Sequence, residues 1–261
     1  MSPSSEEQPV LEVHSLSAAL GGKEILHDIS FRLGRGCALS LVGESGSGKS
    51  TLLLALMGLL PDGGAVTAGH IFLNGKELTG CPRRQEGVRG RELALLFQEP
   101  GSAFNPVRKI GKQYRDCLEA AGWGEAWKKR AQEALLSAGL PDTEKILRSY
   151  AFQLSGGQRQ RAAAAMVLSL NPQVILADEP TSALDTLSSL RLLRKLKEQT
   201  DRGQSLLFVT HHIRAAACLG GQILVMKEGR IVKQGDGESI LNAPSCAYTK
   251  ELLESVLRLE P

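Results

Sequence analysis

A chain of 261 residues, 42% hydrophobic and 23% charged, is sized for one large α/β domain or a core with a modest second lobe. Lys and Arg exceed Asp and Glu by only three, which argues against the strong basic field of a nucleic-acid binder. The five cysteines (Cys37, Cys81, Cys117, Cys218, Cys246) are scattered without CxxC pairing, so reduced, mostly buried thiols are expected rather than a metal or disulfide framework.

The opening stretch MSPSSEEQP has neither a basic segment nor an apolar core, so no signal peptide is expected there. Apolar and polar residues then alternate (Leu11, Val13, later Ile29, Phe31, Leu33), the pattern of half-buried strands. Residues 38–42 form a short continuous apolar run, as in a strand buried on both faces. Helical sequence follows over 48–60, ended by Pro61-Asp62-Gly63-Gly64. Its apolar part, 52–60, falls well short of the ~20 residues needed to span a bilayer. A cytoplasmic chain is therefore expected, any membrane role coming through partners. Residues 71–73 and 93–97 read as further strands. Between 101 and 151 strand signals vanish in favour of helices over 112–121 and 126–138, with Trp123 and Trp127 among them, which suggests an inserted helical lobe. Strands return at 174–177, 206–209 and 223–226 with helices between them, and Glu228-Gly229 suggests a hairpin. This alternation predicts a mostly parallel sheet.

Gly43-Glu44-Ser45-Gly46-Ser47-Gly48-Lys49-Ser50-Thr51 fits the phosphate-loop pattern G-x-x-x-x-G-K-[ST] between a strand and a helix. Small residues let backbone N–H groups curl around phosphate oxygens, and the helix N-terminus adds positive partial charge. Lys49 is expected on the β- and γ-phosphates of ATP, and the Ser50 hydroxyl on Mg²⁺. A Gly-rich turn alone would lack this strand and helix context. The apolar strand at 174–177 ends in Asp178-Glu179. Parallel sheets bind ligands at the carboxyl ends of their strands, so Asp178 is expected to partner Mg²⁺, directly or through a bound ligand, and Glu179 to polarise the attacking water. Gln98 and His211 also follow apolar strands and can reach the γ-phosphate or the lytic water. Taken singly, each is more often an ordinary loop residue; their shared placement at strand ends favours the site.

Leu154-Ser155-Gly156-Gly157-Gln158 opens a helical run. Ser155 is a candidate N-cap, and the glycines leave N–H groups exposed at a positive helix end. The plain reading is a capped helix. The alternative is a second phosphate device, which in one short chain suggests a dimer whose members close each other's sites.

Together these residues resemble the ATP-binding subunits of ATP-binding-cassette (ABC) transporters, over roughly residues 11–256. Residues 43–51 match the Walker A loop, Gln98 the Q-loop, 154–158 the signature motif and 174–179 Walker B with its catalytic glutamate. Ser182-Ala183-Leu184-Asp185 match the D-loop and His211 the switch histidine. The resemblance implies an α/β fold: a P-loop NTPase, RecA-like core with an N-terminal antiparallel β-subdomain and an inserted helical subdomain. Residues 9–261 would form one ATPase domain, with β-subdomain and core at 1–98 and 172–235, the helical subdomain at 99–171 and a C-terminal helical segment at 236–261. It places Glu179, His211 and Gln98 in catalysis, and Ser50, Asp178 and Gln98 on Mg²⁺. ATP would contact Gly43, Ser45, Gly46, Ser47, Gly48, Lys49, Ser50 and Thr51 of one chain, and Ser155, Gly156, Gly157, Gln158 and Asp185 of the opposing one.

The implied partners are a second cassette (a copy or a paralogue) in a head-to-tail dimer, two membrane permease subunits and an extracytoplasmic binding protein, but no nucleic acid. The implied location is the cytoplasmic face of the inner membrane. Phe97-Gln98-Glu99-Pro100 with Ser102-Ala103-Phe104-Asn105-Pro106, and Asn242-Ala243-Pro244 with Tyr248-Thr249, look like the peptide and nickel importer branch. Tyr150-Ala151-Phe152-Gln153-Leu154 is closer to its nickel or metallophore type than to oligopeptide importers. A soluble ABC ATPase acting on ribosomes or nucleic acid is the rival. One departure stands out: Ala18-Ala19-Leu20-Gly21 occupies the place where many cassettes stack an aromatic ring on adenine. Leu20 lacks the ring's extra ~0.5–1.5 kcal/mol, so the phosphate contacts are expected to carry more of the binding.

Overall fold

The computed structural model describes residues 8–98, 100–182 and 186–242. Two sheets divide the strands. β1 (Leu11–Leu20) and β2 (Lys23–Leu33) form a hairpin. After β3 (Ala38–Val42) and helix α1 (Lys49–Met57), β4 (Gly64–Leu73) and the short β5 (Lys76–Glu77) complete an antiparallel sheet of order β2-β1-β4-β5. The second sheet takes β3, β6 (Leu93–Leu96), β7 (Val174–Asp178), β8 (Ser205–Thr210), β9 (Gln222–Lys227) and β10 (Arg230–Asp236), in the order β10-β9-β3-β8-β7-β6. All its pairings are parallel except the β9–β10 hairpin, which turns at Glu228-Gly229 as its sequence predicts.

Strict alternation along the parallel strands explains their unbroken apolar runs. Leu93, Leu95, Val174, Leu176, Leu207 and Val209 pack into a cluster shared with α1 and the antiparallel sheet. Leu96, Ile175, Ala177, Leu206 and Phe208 face the other way, into a cluster with Leu193 and Leu196 of α7 (Thr186–Asp201) and with Leu219. Leu219 ends α8 (Ile213–Leu219), and α9 (Gly237–Asn242) follows β10. With both faces covered the strands are apolar almost throughout, the buried polar exceptions including Ser40 of β3 and Ser205 and Thr210 at the ends of β8. Helix α1 lies between the sheets and touches β2, β4, β6 and β7, so it too is apolar nearly all round.

The α1 helix is shorter than its sequence suggests. It stops at Gly58, which adopts the left-handed C-cap conformation (φ 61°) ahead of the proline–glycine stop. Arg89, just after α2 (Pro82–Val88), reinforces this end: its guanidinium donates to the carbonyls of Met57 (2.9 Å) and Gly58 (2.8 Å). The α2 helix itself is not legible in the sequence, because none of its residues is buried and it carries no apolar stripe.

The region without strands folds as α3 (Ile110–Ala120), α4 (Trp127–Ser137), α5 (Thr143–Arg148) and α6 (Gly156–Ser169) around its own apolar cluster. Tyr114 is fully buried there and its hydroxyl donates to the Ala162 carbonyl at 2.5 Å. Trp123 donates to the Leu170 carbonyl and carries the Arg130 guanidinium 3.5 Å above its ring.

The thiol expectation needs correction. Cys37 and Cys218 are exposed and Cys81 and Cys117 half-buried, all unpaired. Cys37 lies in the tight turn where its N–H donates to the Gly34 carbonyl, and Cys218 lies on the open side of α8. Cys246 lies outside the described residues.

Candidate active site

Strand order creates the site. Because β8 inserts between β3 and β7, with β6 beyond, the carboxyl ends of four strands run side by side. Val42 pairs with Thr210, Val209 with Asp178, and Ala177 with Leu96. The next residues therefore emerge along one edge: Gly43, His211, Glu179, and then Gln98 after Phe97.

The phosphate loop bends tightly out of β3. Gly43 sits so close to β9 that a Cβ there would lie 2.3 Å from the Met226 carbonyl and 2.8 Å from Ser47 Oγ. Only glycine fits. The Ser47 carbonyl is held from outside by the N–H of Gly229 (2.9 Å), whose own carbonyl accepts from the His27 N–H (2.9 Å). Gly229 has φ 74°, and a Cβ there would fall 2.1 Å from the Ile25 carbonyl. The β9–β10 turn is thus a pin between β2 and the phosphate loop. The sequence marks Glu228-Gly229 as a turn but gives no sign of this second duty. Ser45 and Gly46 are exposed, while Ser47, Gly48 and Lys49 are buried.

Lys49, 4% exposed, donates from Nζ to the carbonyls of Gly43 (2.8 Å) and Glu44 (2.7 Å) and lies 3.8 Å from Glu179 Oε1. Burial pushes its ammonium below the ordinary lysine range, against the opposing pull of Glu179 and Asp178. Glu179 Oε2 in turn lies 2.8 Å from His211 Nδ1. Lysine, glutamate and histidine from three separate segments thus form one chain of contacts. Glu179 takes a positive φ of 41°, uncommon for a residue with a side chain. Its N–H is tied to the Val209 carbonyl (2.9 Å), and its carbonyl accepts from the N–H and hydroxyl of Ser182 (3.1 and 3.0 Å).

Asp178 is hydrogen-bonded to the Ser50 hydroxyl, and burial holds its carboxyl above the usual carboxylate range despite that bond. Its Oδ1 is buried with no hydrogen-bond partner, as is Ser47 Oγ. An unmet carboxylate oxygen beside a hydroxyl is the donor set a hard divalent cation takes. These residues fit Mg²⁺. Burial and the neighbouring His211 also push the His212 imidazole below its ordinary range, the two rings lying 3.9 Å apart.

The other candidates stand apart. Gln98 is exposed past the end of β6. Ser155, Gly156, Gly157 and Gln158 begin α6 in the helical region, where a capping box forms. Gln158 Oε1 accepts from the Ser155 N–H (3.0 Å), and Ser155 Oγ accepts from the Gln158 N–H (3.3 Å). Among the described residues no hydrogen bond joins this motif to residues 43–51 of the same chain. Thr51 continues α1, and Leu20 is half-buried at the β1–β2 turn, over Gly64. Asp185, with Ala183 and Leu184, lies outside the described residues, as do Ala243, Pro244, Tyr248 and Thr249.

Comparison with known proteins agrees with this geometry. Residues 26–182 match a family model described as ABC transporter. The nickel import ATP-binding protein NikD of Pseudomonas putida is 40% identical over 257 residues, covering 98% of this chain and 96% of the relative. The oligopeptide transport ATP-binding protein OppD of Bacillus subtilis is 37% identical, with 96% and 73% covered. The peptidoglycan transport ATP-binding protein YejF of Agrobacterium fabrum is 38% identical, but the chain spans only 48% of its length. Among solved structures, the ATP-binding cassette MJ0796, in a dimeric post-hydrolysis state bound to ADP and Pi, has a TM-score of 0.74 at 27% identity, covering 87% of this chain and 98% of that one. The chain therefore belongs to the ABC transporter family, as one of its ATP-binding, ATP-hydrolysing cassettes.

Proposed function

We propose that this chain is the ATPase subunit of an importer, with Glu179 as general base. The observation that carries this reading is the Lys49–Glu179–His211 chain at the strand ends. His211 holds one carboxylate oxygen of Glu179, leaving the other to accept a proton from water as it attacks the γ-phosphate. Lys49, freed from the Gly43 and Glu44 carbonyls, neutralises charge on the β- and γ-phosphates. Ser50 and Asp178 hold Mg²⁺, which when bound neutralises charge on the phosphate oxygens. Gln98 joins the water and metal from the β6 side. The exposed N-terminus of α6 at Ser155 closes the site of a second, head-to-tail cassette, together with Asp185, and that dimer drives two permease subunits loaded by an extracytoplasmic binding protein.

Glu179→Gln is expected to retain ATP binding while hydrolysis falls about 10²–10⁴-fold. Equal turnover by this variant in an ATPase assay overturns the assignment. Nickel or a metal chelate is the proposed cargo, supported by the run Tyr150-Ala151-Phe152-Gln153-Leu154 and by the likeness to a nickel import subunit. Loss of radiolabelled nickel uptake on deletion of the chain supports it. Loss of oligopeptide uptake alone replaces that cargo with peptide.

A further inference from the structure

Away from the strand ends, α7 faces α4 and α6 across a cavity of about 670 Å³, a volume typical of small-molecule sites. Arg130, Arg161, Arg191, Arg194, Lys195 and Arg202 line it, against the carboxylates Glu133 and Glu198. Arg191, Arg194, Lys195 and Arg202 recur at helical spacing on one face of α7 and its end, so the charges form a stripe about 16 Å long. One acid, Glu198, lies within this stripe, so the cations outnumber it. Here Glu198 is taken by Lys195 at 2.9 Å, with Arg202 acting on it only from farther off. Arg130 is committed to the Ser169 carbonyl and the Trp123 ring. Among the described residues Arg161, Arg191, Arg194 and Arg202 make no ion pair. Between the cations the wall is small and apolar, formed by Ala134, Ala138, Ala164 and Ala165.

Several guanidinium forks without an ion pair, with Glu133 acting on Arg130 and Glu198 held by Lys195, match linked tetrahedral anions better than one compact charge. The wall comes from both α6 and α7, which makes the feature concave and suits a small ligand better than a flat protein partner. We propose that this groove binds a small linear polyphosphorylated molecule through Arg161, Arg191, Arg194 and Arg202. Such a ligand would bridge the helical region to the core, because α6 belongs to one and α7 packs on the other.

Inorganic tripolyphosphate is the probe, titrated calorimetrically into the full chain with a non-hydrolysable ATP analogue saturating the 43–51 loop. Binding at one site per chain is expected. It should weaken about tenfold or more in the combined Arg161→Gln, Arg191→Gln, Arg194→Gln variant, while affinity for the ATP analogue stays unchanged. If that variant fails to fold, the exposed single substitutions Arg191→Gln and Arg194→Gln should each weaken binding about threefold. No binding once the loop is saturated overturns the proposal, as does binding indifferent to these arginines. Citrate or a hexaglutamate peptide binding as tightly as tripolyphosphate overturns the phosphate assignment, the peptide in favour of a protein partner.

Discussion

Asp178 shows what the site costs the fold. Its carboxyl is pushed above the usual range by burial, so the folded state holds the proton more tightly than the unfolded chain does. As pH rises through the window between the ordinary and the raised value, this residue makes folding less favourable, and at neutral pH the cost is fully present. Asp178→Asn is therefore expected to raise the metal-free melting temperature by a few degrees while hydrolysis is lost, as seen by calorimetry and an ATPase assay. A lower melting temperature would show that the carboxylate stabilises the fold. Such exchanges of stability for activity are common at functional sites. Gly229 predicts the opposite outcome. Gly229→Ala forces a Cβ against the Ile25 carbonyl at a positive φ, so both stability, by about 1–3 kcal/mol, and nucleotide affinity should fall together. Denaturant melts and nucleotide titration test this; loss of only one property would separate the pin from the loop.

Among the elements, α6 joins two cores. Ala162, Ala163 and Ala165 pack into the helical cluster and Ala164 into the sheet cluster, so small side chains let the helix seat against both. The Tyr114 hydroxyl anchors it by donating to the Ala162 carbonyl. Tyr114→Phe removes that one bond without opening a cavity, and a loss of about 0.5–1.5 kcal/mol is expected in equilibrium unfolding. Cys117, on α3 near this junction, is half-buried with its thiol pushed up by burial, whereas Cys37 and Cys218 are exposed. Thiol-reactive labelling followed by mass spectrometry should modify Cys37 and Cys218 well before Cys117, because the thiolate is the reacting form. Equal rates would mean that α3 opens readily.

For the whole molecule, the separation of the Ser155–Gln158 cap from the phosphate loop within one chain makes its role a question of assembly. Mixing a Ser155→Arg chain with a Lys49→Ala chain discriminates the arrangements. In a head-to-tail dimer, the intact loop of the first chain meets the intact Ser155 of the second. The mixture should then regain ATPase activity that neither variant shows alone. No recovery, with dimers present by light scattering, would mean that each chain closes its own site.

Read alone, the sequence determined what depends on neighbouring residues. Gly43 to Thr51 must curl because its small residues and its strand and helix flanks leave few other courses, and Ser155 is placed to cap the helix that follows it. The run at 38–42 announces a strand buried on both faces, and those at 174–177 and 206–209 announce strands. The sequence carries α1 on to residue 60, but Gly58 and the distant Arg89 together end it at Met57. Strand order was beyond local reading, since periodicity says that a strand forms but not which strand lies beside it. Only the tertiary structure placed β8 between β3 and β7, and so decided that His211 holds Glu179 while Gln98 waits on the far side. It alone also showed that Gly229 pins the phosphate loop and that the arginines of α7 face a cavity. Each of these depends on contacts between residues remote in the chain, whose free energy is gained only when the sheets and helices pack together.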